Sequence, residues 1–132
     1  MKVYLVDYIG MHCGMHYYND AFCRVLSAVP GLDVSVLSNY AGENDGRPFF
    51  LHQYKGNRLR KICCLLRNYL MLFCFVLRNK KACFVYLAYG NSIDLPFMYI
   101  VSLAKKSIID IHEAIAQNAD DNAGLKRCFR KV

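Results

Sequence analysis

Four short stretches of this 132-residue chain carry side chains able to do chemistry, and each follows an apolar run. They are Tyr8-Ile9-Gly10-Met11-His12-Cys13-Gly14-Met15-His16, Ser38-Asn39-Tyr40, Tyr89-Gly90-Asn91-Ser92 and Asp110-Ile111-His112-Glu113. His112 is the residue best suited to proton transfer. An unperturbed imidazole has a pKa of ~6.5, so near neutral pH it can bond a substrate hydroxyl or take its proton. Glu113 is its nearest carboxylate in sequence, but neighbours at a strand end point apart, so Asp110 or a loop group is an equal candidate for orienting it. In the first stretch, Gly10 and Gly14 let the backbone turn sharply and come close to a ligand.

Several chemistries are excluded by spacing. The first loop lacks G-x-G-x-x-G and no acid ends the second apolar run, so the dinucleotide fingerprint is missing; there is no Walker lysine loop either. His12-Cys13 with His16 has no second ligand pair at tight spacing elsewhere, so no metal site is expected, and no cofactor. A Cys-His nucleophile pair is weakly signalled, because seven cysteines and four histidines make chance pairings easy.

The elements that must position these stretches follow from periodicity. Val3 to Val6 is apolar at every position, as suits a strand buried on both faces. From Tyr18 the apolar residues Ala21, Phe22, Val25, Leu26 and Val29 make one helical stripe, stopped by Pro30 and Gly31. Asp33 to Ser38 reads as a second strand, completing a parallel crossover unit that should be right-handed. The segment 39–56 is polar and irregular, with Phe49-Phe50-Leu51 as a possible short edge strand. Asn57 is a plausible N-cap for a helix running to about Asn79. Ala82 to Ala88 is a third strand, a helix starts at Asp94 and Pro96 and ends by Lys105-Lys106, and Ser107 to Ile111 is a fourth strand. The tail 114–132 has weak periodicity. This order predicts an α/β fold: an open, three-layer, Rossmann-like domain with a mostly parallel sheet, binding ligands outside the carboxyl ends of its strands. By that rule Tyr89 and Asn91 join the first loop and the Asp110–Glu113 strand end as candidate ligand contacts.

Charge and hydropathy add a second theme. The net charge is +7, and between Gly46 and Ile93 the chain has nine Lys or Arg and no carboxylate. Such a segment attracts phosphate-bearing substrates, anionic lipid or nucleic acid, or else is a solvated helix rim. The helix over 57–79 is apolar all round from Tyr69 to Leu77. Its 16-residue apolar run from Ile62 to Leu77 contains Arg67 and Asn68, whereas a span needs ~20 mostly uncharged residues. A helix buried under the sheet is the preferred reading, with a helix embedded in the membrane surface through 55–81 as the alternative. The odd number of cysteines, most of them within apolar patterns, reads as reduced thiols. With no h-region and cleavage site at the amino end, this predicts a cytoplasmic location, with peripheral contact at the inner face of the plasma membrane.

Taken together, the glycine loop and the Asp110-Ile111-His112-Glu113 strand end resemble the N-terminal domain of GT-B glycosyltransferases of the family-four type. That family has a loop and helix reading roughly "GG-x-x-x-aromatic", matched here by Gly14, Tyr17 and Tyr18, and a later strand ending D-x-H-E, matched by Asp110, His112 and Glu113. It usually has paired glycines where this chain has Cys13-Gly14. The resemblance implies a single N-terminal, acceptor-binding domain over 1–132. Its substrate contacts would be Gly14, His16, Tyr17, Tyr89, Asn91, Asp110 and Glu113, and its catalytic residue His112. The family's donor-binding E-x7-E motif cannot lie here, since the chain has only Glu43 and Glu113. The resemblance therefore implies that the nucleotide-sugar donor is held by a C-terminal domain outside this chain. The acceptor would be a glycan or lipid-linked glycan, no nucleic acid would be a partner, and the chain alone would be inactive. The competing expectation is a non-catalytic α/β module that docks on membrane or a partner through its basic segment.

Overall fold

A computed structural model describes residues 1–8, 10, 16–40, 48–51 and 57–111. Four strands, β1 (Lys2–Asp7), β2 (Asp33–Ser38), β3 (Cys83–Ala88) and β4 (Lys106–Ile111), form one all-parallel sheet in the order β2-β1-β3-β4. Among the described residues three helices, α1 (His16–Ser27), α2 (Arg58–Arg78) and α3 (Asp94–Ser102), cover it. The Rossmann-like open α/β fold expected from the sequence is the fold found.

The continuous apolar runs explain the layering. Alternate residues of a strand point to opposite faces, so a strand covered on both sides has no position for a polar side chain. Val3, Leu5, Val85 and Leu87 pack against Phe22, Cys23 and Leu26 of α1. Tyr4, Val6, Phe84 and Tyr86 pack against Leu72 and Val76 of α2 and Phe97, Ile100 and Val101 of α3. The second layer is rich in rings. Phe97 lies edge-to-face with Tyr69 and Phe50, at 4.4 and 5.6 Å between ring centroids, and in a tilted pair with Tyr8 at 4.7 Å; edge-to-face pairs contribute ~0.5–1.5 kcal/mol beyond area burial.

Two local expectations are corrected. The buried face of α1 is Asn19, Phe22, Cys23 and Leu26, while Val25 is 67% exposed and Val29 also faces solvent, so the true stripe is rotated and has a polar residue in it. Phe49-Phe50-Leu51 is not a strand. Phe50 N–H donates to Ser38 O at 2.9 Å, but Leu51 is held by a side chain: its N–H donates to Asn68 Oδ1 and its carbonyl accepts from Asn68 Nδ2, both at 3.0 Å. Asn68, fully buried on α2, thus does for one residue what a neighbouring strand would do. Asn57 stands at the N-cap of α2, as expected, without a side-chain capping bond.

Candidate functional site

In the order β2-β1-β3-β4 the chain leaves β1 toward one side and β3 toward the other, so the crevice between their carboxyl ends is the topological switch point. Asp7 closes β1 there and is fully buried. Its Oδ1 accepts a 2.7 Å bond from the Tyr89 hydroxyl, and its Oδ2 accepts from Asn19 Nδ2 on α1. The same Asn19 Nδ2 donates to the Tyr40 hydroxyl at 3.0 Å. Two chain segments donate to one carboxyl group and a third joins through Asn19; a buried carboxyl without donors would cost several kcal/mol. Gly10 belongs to the arrangement: a Cβ there would overlap Asp7 Oδ2 and come within 3.1 Å of the Tyr40 ring. The close approach that the sequence assigns to a ligand is made, at Gly10, by the protein's own carboxyl.

A second buried carboxyl fixes the loop after β3. Asp94 accepts from the Tyr86 hydroxyl at 2.6 Å and from the backbone N–H groups of Tyr89 and Asn91, each at 2.9 Å. Tyr89 therefore bridges the two carboxyls, hydroxyl to one and amide to the other. Burial, helped by Asp94, pushes the Tyr86 phenol far up, and burial raises Tyr8 as well. The Tyr40 phenol is pushed up to about 12, first by burial and against the lowering bond from Asn19; Tyr69 is pushed up to about 12, first by burial and then by Tyr8 and Asp94. All four are neutral hydroxyls across the physiological range. Burial also raises the Cys64 thiol, which suits packing rather than nucleophilic attack.

Beside this cluster opens a cleft of about 200 Å³ lined by Tyr8, Asn39, Leu51, Lys61, Ile62, Cys64, Leu65 and Ile93. It is small next to the ~300–1,000 Å³ typical of drug-sized ligands, so it suits one ring or a chain end. It is largely apolar-walled, with Tyr8, Asn39 and Lys61 as polar residues in its lining.

Of the residues singled out from sequence, Tyr89 is buried in the cluster with its hydroxyl on Asp7, and Asn91 is exposed with its backbone on Asp94. His16 is half-buried, its ring 3.9 Å from that of Tyr17 and 5.9 Å from that of Tyr40. Tyr17 is exposed. Asp110 lies within β4, as the strand expected over Ser107 to Ile111 places it, in register with Leu87. Gly14, His112 and Glu113 lie outside the described residues, and His112 directly follows Ile111, the last residue of β4. Tyr40 belongs to the stretch Ser38-Asn39-Tyr40 singled out from sequence, and the structure adds Asp7, Asn19 and Asp94. Two of these had a legible signal: Asp7 is a carboxylate ending an otherwise continuous apolar run, and Asn19 stands three, four and seven residues before Phe22, Cys23 and Leu26 on the helical stripe. Among the described residues, His16 Nδ1 and Asn19 Oδ1 are buried without a hydrogen-bond partner.

Among the described residues no group of three or more His, Cys, Asp or Glu could hold a metal, and no helix is long and apolar enough to cross a membrane. No protein-family model matches the chain, and neither a curated protein nor a solved structure matches it.

Proposed function

We propose that this chain is the acceptor-binding half of a nucleotide-sugar-dependent, GT-B-like glycosyltransferase that builds a polysaccharide or lipid-linked glycan. In this reading it works in the cytoplasm, in peripheral contact with the inner face of the plasma membrane, and a separate donor-binding domain holds the nucleotide sugar. The observation that carries the reading is the switch-point cluster. Asp7, Asn19, Tyr40 and Tyr89 form a buried hydroxyl, amide and carboxyl cluster next to a small cleft bordered by Tyr8, Asn39 and Lys61, a setting that suits a hydroxyl-bearing ligand. Among the described residues, His16 Nδ1 and Asn19 Oδ1 are buried polar atoms without a partner, and such a ligand would satisfy them. The sequence resemblance supplies the reaction, with His112 as base or hydroxyl-binding group.

Titration of isotope-labelled chain, followed by NMR, tests this. A short-chain polyprenyl-phosphate-linked sugar should shift resonances of Tyr8, Asn39, Tyr40 and Tyr89, and nucleotide sugars should leave them unmoved. Nucleotide-sugar binding at these residues, with acceptors silent, would contradict the assignment.

A further inference from the structure

We propose that the outer face of α2 is a docking surface for an anionic phospholipid bilayer, with the helix lying in the plane of the membrane. The inference rests on the membrane contact in the proposed function and deepens it, independently of sugar transfer. α2 packs on the sheet through Asn68, Leu72 and Val76, and a helix so seated should turn polar residues outward. Instead Leu59, Ile62, Leu66, Leu70, Phe73 and Leu77 face solvent, Leu59 at 70% and Leu70 at 62% exposure. Their spacings of three, four, four, three and four keep them on one stripe along a helix about 30 Å long.

Charge selects the occupant. Arg60, Arg67 and Arg78 are separated by seven and eleven residues, which sets them on one flank of that stripe. Between Arg67 and Arg78 runs a groove of about 460 Å³ floored by Phe49, Leu70, Met71, Cys74 and Phe75, with a cation at either end for a phosphate and an apolar bed for a chain. Every charged side chain of α2 is positive, so pairing with a second copy across a two-fold would set cations against cations. A bilayer with acidic headgroups satisfies both features, since apolar side chains sink past the headgroups while arginines meet phosphate.

Sedimentation of the full chain with vesicles tests it. Vesicles of phosphatidylcholine with phosphatidylglycerol should bind the chain and pure phosphatidylcholine should not, and raising the salt from about 0.05 to 0.5 M should weaken binding as the charges are screened. The exposed-site variant Leu66→Asp/Leu70→Asp should abolish binding. Arg60→Gln/Arg67→Gln/Arg78→Gln, which leaves the stripe intact, should weaken it by about a hundredfold, at roughly fivefold per arginine. Equal binding to both vesicle types overturns the proposal, as does a wild-type dimer that Leu66→Asp/Leu70→Asp dissociates. The assay contains no sugar donor, so its failure is separate from failure of the transferase reading.

Discussion

At Asp7 the chain places a carboxyl group fully out of water at the open end of its sheet, and the Tyr89 hydroxyl is one of the donors that make this tolerable. Tyr89→Phe removes that donor with little change in shape. Leaving a buried polar group short of a partner costs ~1–3 kcal/mol, so urea unfolding should show a loss of that size with an unchanged m-value. A variant within ~0.5 kcal/mol of wild type would show that the bond contributes nothing. This scale was the least legible in the sequence. The strand-end rule singled out the stretches that contain Tyr40 and Tyr89, and Tyr89 was named from it. The partners Asp7, Asn19 and Tyr40 come from three separate segments, and only tertiary structure brings a side chain at position 7 against one at position 89. His112 was singled out by its motif and stands next in sequence to the end of β4.

The elements were far more legible. β2 spans the six residues expected, and α2 begins and ends within a residue of the sequence reading, because turn residues and periodicity are local signals. What misled was packing. The moment of α1 is set by which side chains meet the sheet, and Asn19 is recruited to the buried face by its bond to Asp7 although apolar counting favours Val25. The segment 49–51 looks strand-like because it is apolar, yet Asn68 satisfies Leu51 in place of a ladder. α2 carries a conflict of its own. Arg58, Arg60 and Lys61 occupy its first turn, with no acid there, against the positive end of the helix dipole. Local electrostatics alone would place acids at these positions, and such conflicts mark functional surfaces. Arg58→Glu should therefore raise unfolding free energy by ~0.3–1 kcal/mol while weakening anionic vesicle binding. Thermal denaturation and vesicle sedimentation of the same variant read both effects, and a destabilised variant would show that Arg58 has a structural role.

For the whole molecule, the sheet order β2-β1-β3-β4 puts one crevice at the β1/β3 switch, and the buried polar cluster and small cleft stand there. The cleft shares Ile62 with the exposed stripe of α2, so a membrane under that stripe would lie beside the mouth of the site. The fold class followed from element order, whereas the pairing of a polar crevice with an apolar helix face depended on which side of α2 the sheet takes. If the chain is half of a transferase cleft, it lacks the means to position both substrates, and positioning can contribute ~7–11 kcal/mol of barrier lowering. The most direct measurement is transfer of radiolabelled sugar from a panel of nucleotide sugars into a membrane-lipid acceptor fraction, by the chain alone and by the chain joined to, or mixed with, its donor-binding domain. The account predicts background counts for the chain alone and transfer for the two-domain assembly. Transfer well above background by the 132-residue chain alone, or silence of the assembly with every donor, would contradict it.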